Sequence, residues 1–582
     1  MIFSFVGLIP VLVSAVRSLL ARTLSVDLLA SIALTFSLLA EEWTSAAFIT
    51  LMLAFARLFD YVTQSRAKKT IQSLMKYHVE RVRILVNDSV KEIPAHDARP
   101  GDLVVVEAGD RMPVDGIVFS GEASVDESSL TGESELVSKK KGDKVFTSTF
   151  NDSGSLVVRT SHVGADTTLS RMIKLVENSS QNKSRAERAA DRFTQWYIFM
   201  SLAASIIMYV LGLSTHEILA VLLVVCADDI AVAVPLAFTI ATTYAAKRGV
   251  VVKGGSVLEQ LSKVKFILTD KTGTLTRGKP VIVDFKAYGA YSVDEVVARF
   301  ATGASESRHA VTKAIKGYAE SHHIKAHPPE TLEEVPGQGL SFKHDGENML
   351  MGRVSFMEKS GCYIAEELKR DIAAEKEAGR GISCLALNGH VIGLLSYRDE
   401  LRPRAKEIIG ETRNLGVEEW HMLTGDNERA AKLVANELGL THFHANMTPE
   451  GKVEFIRKFE HEHHGTRLHK GMIAFIGDGV NDAASLALAD VSIAMGGIGA
   501  DAAIEAADIT IMKDHLSRVP ETMKIAKKVI SVMRGNFWIW GITNVVGLAL
   551  VGFGFIGPAG AATYNFLTDF LPIGNALRAG RK

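Results

Sequence analysis

Apolar residues are concentrated in seven runs, which cover residues 2–16, 26–40, 43–62, 193–213, 218–246, 537–556 and 559–577. A helix needs about 20 apolar residues to cross the hydrocarbon core of a membrane, and the first two runs are shorter than that. The first run lacks a basic start and a small-residue cleavage site, which argues against a signal peptide. The pattern predicts seven transmembrane helices.

Charged residues beside the runs orient these helices, because cytoplasmic loops carry an excess of Lys and Arg. The residues concerned are, in chain order, Arg17, Arg22, Glu41, Glu42, Arg66, Lys68 and Lys69. We expect the basic residues inside and the two glutamates outside. This places Met1 outside and Lys582 inside.

Residues 70–185 alternate short apolar runs with turn signals. VRILV at 82–86 and DLVVVEAGD at 102–110 indicate strands, and Gly-Asp pairs and a Pro-Val-Asp-Gly sequence indicate turns. We predict a small β-rich domain here.

Farther along the chain, three apolar runs each lead to a carboxylate: FILTD ends at Asp270, HMLTGD at Asp426 and AFIGD at Asp478. Ligands bind outside the carboxyl ends of parallel strands in α/β sheets. The Thr and Gly residues of DKTGT, which begins at Asp270, offer hydroxyls and close backbone approach for phosphate oxygens. We therefore predict that Asp270 is a nucleophile that accepts a phosphoryl group.

Composition narrows the class of protein. A chain of 582 residues with 23% charged and 47% hydrophobic residues fits several domains, both membrane-embedded and soluble. The net charge of −1 gives no indication of a nucleic-acid partner. Three distant cysteines, Cys226, Cys362 and Cys384, form neither a disulfide framework nor a zinc ribbon. The segment HEHHGTRLHK at 461–470 favours a solvated loop over a metal-sensing patch.

The heptapeptide DKTGTLT at 270–276 resembles the phosphorylation signature of P-type ATPases. Three further motifs follow the family's order: TGES at 131–134, TGDN at 424–427 and GDGVND at 477–482. The resemblance implies a multidomain membrane protein. It would combine an α-helical transmembrane bundle and a β-rich actuator domain with an α/β haloacid-dehalogenase-like (Rossmann-type) phosphorylation domain, into which an α+β nucleotide-binding domain is inserted.

The resemblance also implies catalytic roles. Lys452 places a cation beside the transferring phosphate, Asp478 suits Mg²⁺, and Glu133 would direct the attacking water. The expected catalytic residues are Asp270, Lys271, Thr272, Thr274, Glu133, Thr424, Gly425, Asp426, Lys452, Asn481 and Asp482. Mg²⁺ would be held by Asp270, Asp478 and the backbone carbonyl of Thr272.

ATP would bind in the insertion, at about 281–396. Family positions there match Glu306, His309, Gly337 and Gly339, although Ala310 stands where the heavy-metal subfamily has a proline after the histidine.

The transported ion is expected beside Cys226-Ala227-Asp228-Asp229, where the heavy-metal subfamily carries Cys-Pro-Cys. Carboxylates inside a membrane indicate function by default, with a structural ion pair as the alternative. Replacing a thiolate by Asp228 disfavours copper(I) and favours a divalent ion such as Zn, Co, Mn or Fe(II). Asn565 and Asp569 share a helix face and could complete the site, although polar packing is equally consistent with Asn565 and Asn544. With Ala227 in place of the proline, helix unwinding is expected at Pro235.

These expectations together describe an ATP-driven cation pump, with ATP and Mg²⁺ as cofactors, in the plasma membrane of a prokaryote with its catalytic domains cytoplasmic. A monomer or weak oligomer is expected. A potassium-pump-like subunit with a separate channel partner is the alternative; a lipid flippase and a soluble phosphatase fit less well. The first apolar run resembles the second helix of the eight-helix subfamily, so a first helix is expected to be missing.

The expected domain limits are 1–64, 191–247 and 531–582 for the membrane helices, 65–190 for the actuator domain, 248–280 and 397–530 for the phosphorylation domain, and 281–396 for the nucleotide-binding domain.

Overall fold

A computed structural model shows which of these patterns become helices and strands. It describes residues 13, 20, 26–39, 41–51, 53–55, 57–58, 81–86, 89–128, 136–168, 170–171, 184–225, 228–307, 309–335, 338–464, 471–478, 482–496, 506–512 and 515–580. The chain divides into two units. The first consists of Met1–Lys263, Asp508–Lys513 and Glu521–Lys582, and the second of Val264–Ala507 and Asp514–Pro520.

The apolar runs of the first unit are helical where they are described. The helices are α1 (Val26–Leu39), α2 (Trp43–Phe55), α3 (Arg185–Val210), α4 (Thr215–Val224) and α5 (Asp228–Ala246). Leu34 of α1, Ile49 of α2 and Leu219 of α4 belong to one buried apolar cluster. Because these side chains come from three helices, the cluster holds the bundle together.

The run at 218–246 is two helices rather than one. Helix α4 ends at Val224 and α5 begins at Asp228, whereas Pro235 lies inside α5 without ending it. The expectation that Pro235 unwinds the helix is therefore wrong. The interruption lies before the proline, between Val224 and Asp228.

The predicted β-rich domain is a seven-stranded sheet with the order β2-β1-β3-β7-β4-β5, in which β6 also pairs with β4. Its strands are β1 (Arg81–Val86), β2 (Ser89–Pro94), β3 (Leu103–Val106), β4 (Asp115–Asp126), β5 (Leu136–Lys139), β6 (Lys144–Val145) and β7 (Phe150–His162). The carboxylate of Asp115 is buried and accepts hydrogen bonds from the backbone N–H groups of Thr147 (2.8 Å) and Thr168 (2.6 Å). Asp115 and Gly116, predicted as the end of a Pro-Val-Asp-Gly turn, are the first residues of β4. A Cβ atom at Gly116 would lie 2.4 Å from the Arg159 carbonyl, so the close pairing of β4 with β7 needs this glycine.

After β8 (Val250–Val252) and α6 (Gly255–Leu261), the chain enters the second unit through β9 (Val264–Asp270). An antiparallel sheet follows, with the order β10-β15-β14-β13-β12-β11. Its elements are β10 (Thr276–Ala287), α7 (Val293–Ala304), α8 (Ala310–Ser321), β11 (Thr331–Val335), β12 (Gly339–His344), β13 (Glu347–Gly352), α9 (Val354–Lys359), α10 (Glu366–Glu377), β14 (Gly381–Leu387) and β15 (His390–Leu401). Strands β10 and β15 pair from Thr276↔Leu401 to Ala287↔Gly393, so the two ends of the insertion leave side by side.

The chain then completes a parallel sheet with the order β17-β16-β9-β18-β19. The elements are α11 (Ala405–Asn414), β16 (Glu419–Leu423), α12 (Glu428–Leu438), β17 (His442–His444), α13 (Pro449–His464), β18 (Met472–Gly477), α14 (Ala483–Leu486) and β19 (Val491–Met495). Strand β9 is buried along nearly its whole length, as parallel strands covered on both faces usually are. Helix α12 begins directly after the TGDN sequence. Residues 461–464 belong to the last turn of α13, so the loop expected there is wrong for these four residues.

The chain returns to the first unit at β20 (Ile509–Ile511), which is antiparallel to β8. It ends in α15 (Arg518–Gly552), α16 (Pro558–Thr568) and α17 (Phe570–Ala576). Among the described residues, Glu187–Val210 and Arg518–Gly552 are long and apolar enough to cross a membrane, and four other apolar helices are shorter.

Candidate active site

Asp270 is the last residue of β9, in the middle of the parallel sheet. It lies opposite Leu423 of β16, and its neighbour Thr269 lies opposite Ile476 of β18. Because the strands are parallel, the residues that follow these partners emerge at the same sheet edge as Asp270. The predicted meeting of three strand ends is confirmed.

The turn after Asp270 is held from two sides. Gly273 has a φ of +76°, a conformation in which other residues are strained. The Arg402 guanidinium donates to the carbonyls of Thr274 (2.7 Å) and Gly273 (2.5 Å), while the Thr276 hydroxyl donates to the Asp399 carboxylate at 2.6 Å. Arg402 and Asp399 were absent from the predicted site residues. Their only sequence signal is the segment RDELRP, and their contacts depend on the pairing of β10 with β15.

Lys452, at the start of α13, lies between two carboxylates. Its ammonium donates to Asp270 Oδ1 at 2.7 Å and to Asp482 Oδ1 at 2.9 Å. Their side chains are 10%, 11% and 1% exposed, respectively, so the charges are poorly screened by water. The Lys452 ammonium therefore offsets the charge of two buried carboxylates.

This arrangement changes the titration of all three groups. Burial, followed by the Asp482 carboxylate, raises the pKa of Asp270 to about 6, although Lys452 acts in the opposite direction. Burial also raises the pKa of Asp482. Burial alone would lower the pKa of Lys452, but the attraction of its two carboxylates outweighs that effect and the pKa is raised.

Asp478 follows β18 directly and lies over the turn. A Cβ atom added to Gly273 would be 3.1 Å from Asp478 Oδ2, so the missing side chain leaves room for this carboxylate. Asp270, Asp478 and Asp482 together bring three carboxylates near one ammonium. A divalent cation fits this excess of negative charge.

The loop after β16 supplies the other predicted groups. The Thr424 hydroxyl accepts a hydrogen bond from the Asp426 N–H at 3.1 Å, and Lys271 forms an ion pair with Asp426. The Thr424 N–H donates to the His444 carbonyl at 2.9 Å. The buried hydroxyl of Thr274 has no hydrogen-bond partner among the described residues.

Other predicted site residues lie outside the described residues: Glu133, Gly337, Asn481 and Cys226. Glu133 belongs to the connection between β4 and β5, whose ends pair as Asp126↔Leu136. The backbones of Asp228 and Asp229 begin α5, but their side chains are not described.

The inserted domain contains a cavity of about 410 Å³ between α8 and strands β12 to β15, lined in part by His309, Gly339, Gly352, Arg353 and Tyr397. Gly339 and Gly352 face each other closely, since a Cβ on Gly339 would lie 2.2 Å from the Met351 carbonyl and 2.8 Å from Gly352 Cα. His309 caps α8 and accepts from the Val311 N–H at 3.3 Å. Glu306 is exposed and is not among the lining residues.

Polar residues of the membrane helices fall into two groups. Asn544 of α15 accepts from the Tyr197 hydroxyl at 2.9 Å and donates to the Trp540 carbonyl, which is structural packing. Asn565 is buried in α16, and Asp569 lies at the junction of α16 with α17. Helix α16 packs on α4 and α17 packs on α5. The two helices that meet at Asp569 therefore pack on the two helices that flank the interruption between α4 and α5.

Two family models match the chain. Residues 76–177 match the P-type ATPase actuator domain, and residues 264–490 match haloacid dehalogenase-like hydrolases. The first range contains the seven-stranded sheet, and the second contains the insertion with strands β9, β16, β17 and β18 of the parallel sheet.

Several named proteins are similar to this chain over most of its length. A zinc-transporting ATPase of Bacillus subtilis is 33% identical over 89% of this chain and 81% of its own length. A copper-exporting P-type ATPase of Staphylococcus saprophyticus is 32% identical over 92% of this chain and 67% of its own. A probable cadmium-transporting ATPase of Staphylococcus aureus is 31% identical over 88% and 70%.

A solved structure agrees with these matches. The crystal structure of a zinc-transporting PIB-type ATPase in an E2.Pi state superposes with a TM-score of 0.65 at 29% identity, covering 99% of this chain and 94% of the other. From the strand-end carboxylates, the two matching domains and this whole-chain similarity, it follows that the chain belongs to the P-type ATPases, within their heavy-metal-transporting group.

Proposed function

We propose that this ATPase pumps a divalent transition-metal cation across the plasma membrane of a prokaryote, with its catalytic domains in the cytoplasm. The observation that supports the chemistry best is the buried Asp270–Lys452–Asp482 contact at the end of β9, with Asp478 across Gly273.

Asp270 is the phosphoryl acceptor. A carboxylate oxygen of Asp270 bonds to the γ-phosphorus of ATP, the bond to the β–γ bridging oxygen breaks, and ADP leaves. Lys452 offsets the charge of the transferring oxygens, and the hydroxyls of Thr274 and Thr424 donate to them. In the second step, the oxygen of a water molecule attacks the phosphorus while Glu133 accepts a proton from that water. The bond between the phosphorus and the Asp270 oxygen breaks, which releases phosphate and the Asp270 carboxylate.

Mg²⁺ fits the excess of carboxylates at this edge. Asp270, Asp478 and the backbone carbonyl of Thr272 would hold it, and once bound it neutralises phosphate charge. ATP is proposed to place its adenine in the cavity lined by His309 and Gly339.

The transported ion is proposed to bind where α4 gives way to α5. Its proposed ligands are Cys226, Asp228, Asn565 and Asp569. The packing of α16 on α4 and of α17 on α5 supports this combination. A thiolate with carboxylates suits borderline or harder divalent ions. The relatives above are named for zinc, copper and cadmium, so the potassium-pump alternative receives no support.

ATP hydrolysis by the purified chain, measured with single added cations, tests this function. We expect stimulation by one or more divalent transition metals and its loss in Asp228→Ala. Phosphorylation from inorganic phosphate should survive in that variant, because it needs only an intact catalytic site. Asp229→Ala is the matched comparison, since successive residues of a helix are about 100° apart around its axis. Selective stimulation by Cu(I) or Ag(I) that Asp228→Ala leaves intact would refute the assignment.

A further inference from the structure

A cluster of histidines with one glutamate lies on β16 and on β17, the edge strand of the parallel sheet. The sequence EWH in β16 supplies Glu419 and His421, and the sequence HFH in β17 supplies His442 and His444. Successive strand residues point to opposite faces, so residues two apart share a face. His421 lies opposite His442 in the parallel register. The pair Glu419 and His421 and the pair His442 and His444 therefore lie on the same face of the sheet.

Three of these side chains present ligand atoms to one another. A carboxylate oxygen of Glu419 and one ring nitrogen each of His421 and His442 all lie within 4.8 Å of one another. Glu419 Oε2 is 2.9 Å from His421 Nε2 and 4.0 Å from His442 Nε2. Two ligands on a tetrahedral zinc ion with bonds of about 2.0–2.1 Å are roughly 3.4 Å apart, which falls between these distances.

The other nitrogen of His421 is already positioned. Its Nδ1 is 3.3 Å from His444 Nε2, so a proton on Nδ1 leaves Nε2 free to bind a metal. Ligating histidines usually donate their second N–H to such a partner, which fixes the tautomer and the ring orientation. His444 is itself held against Phe455, with ring centroids 4.1 Å apart.

The cluster is open to solvent on one side. The His421 side chain is 7% exposed, whereas those of Glu419 and His442 are 40% and 43% exposed. The rings of His421 and His442 stack with an interplanar angle of 14°, and a metal must lie in the plane of each ring that binds it. The half-exposed His442 ring on the edge strand must therefore turn out of the stack to complete the site.

We propose that Glu419, His421 and His442 bind a divalent transition metal of the Zn²⁺ class on the catalytic part of the pump, separate from the transport site. Two histidines and one glutamate form a known zinc donor set that leaves a position for water. The same set follows the general preference of imidazole for late first-row metals. His444 is a positioning residue that acts through His421.

Metal counting on the full-length, metal-stripped protein in detergent tests the site, with Zn²⁺ alone as the probe and equilibrium dialysis as the method. Wild type should hold one more Zn²⁺ per chain than Glu419→Gln or His442→Ala. The matched control is Glu418→Gln, because Glu418 is the neighbouring exposed carboxylate and pairs with Lys265 instead. It should keep the wild-type count. Equal counts in wild type, Glu419→Gln and His442→Ala would overturn the proposal.

The side chains of Glu419 and His442 are both half-exposed, so each variant is expected to fold, and circular dichroism checks this directly.

The positioning role of His444 has its own test. His444→Leu should weaken Zn²⁺ binding by about 10- to 100-fold, as losses of such supporting contacts do. His444→Gln, whose amide oxygen can still accept, should restore part of the affinity. Wild-type affinity in His444→Leu would remove the positioning role.

Discussion

At the scale of single residues, the phosphorylation site depends on one cation between two buried carboxylates and on one missing side chain. The sequence was sufficient to predict the strand ends at Asp270 and Asp478, because each carboxylate follows an apolar run, whereas Lys452 was proposed from the resemblance to P-type ATPases. It was insufficient for Arg402 and for the cluster at Glu419, since those contacts arise from strand pairing between residues far apart in the chain.

Gly273→Ala should abolish phosphorylation of Asp270. The new methyl group would lie 3.1 Å from Asp478 Oδ2, and the φ of +76° is strained for alanine. Gly289→Ala is the matched control, because Gly289 has a φ of +77° and only an aromatic carbon at 4.0 Å. Both changes carry a backbone cost of about 1–2 kcal/mol. Phosphoenzyme formation is measured in both variants. Because both carry the backbone strain but only Gly273→Ala crowds Asp478, equal losses would argue against a role for the space beside Gly273.

The raised pKa of Asp270 predicts a pH-dependent stability in the Mg²⁺-free protein. The pKa of Asp270 is about 6 in the folded protein, against 3.8 for an ordinary aspartate. The contribution of this carboxyl to stability is therefore fully present below pH 4 and is lost as the pH rises through 6. Asp270→Asn mimics the protonated form, so it should be more stable than wild type by up to about 3 kcal/mol above pH 7 and by little near pH 4. Thermal unfolding at the two pH values measures the difference. A gain that is the same at both would contradict the shift.

At the scale of elements, the sequence predicted a strand before each of Asp270, Asp426 and Asp478, because an apolar run precedes each carboxylate, and these strands are β9, β16 and β18. It failed at the helix interruption, where Pro235 was the obvious signal. Helix α5 starts at Asp228, so the interruption precedes the proline and Pro235 lies well inside the helix.

The connection between β4 and β5 carries the TGES sequence, and Glu133→Gln tests its role. The proposed mechanism assigns Glu133 to hydrolysis of the aspartyl phosphate and not to its formation. Labelled phosphoenzyme should therefore accumulate in Glu133→Gln while steady ATP hydrolysis falls by about 10²–10⁴-fold, the usual contribution of a general base. Glu122→Gln, in β4 and exposed, serves as the control. Unchanged turnover in Glu133→Gln would exclude the assignment.

At the scale of the whole molecule, the fold class could be predicted because four motifs occur in the family's order along one chain. One contact relates two turns of the bundle. His216 Nδ1, at the start of α4, lies 3.0 Å from a carboxylate oxygen of Glu42, between α1 and α2. The turn between α3 and α4 is thus at the same end of the bundle as the turn with Glu41 and Glu42, which was predicted to lie outside.

Cysteines introduced at Glu41 and at Leu213 should react with a membrane-impermeant thiol reagent added to intact cells. A cysteine at Lys359, in the inserted domain, should react only after the cells are opened. Labelling of the Lys359 site in intact cells, or protection of the other two, would reverse the predicted orientation.

The most direct measurement of the central claim is covalent labelling. Incubating the purified protein with γ-labelled ATP and Mg²⁺ should give an acid-stable, hydroxylamine-labile phosphoprotein, and the label should be absent from Asp270→Asn. Label that persists in Asp270→Asn would contradict the account.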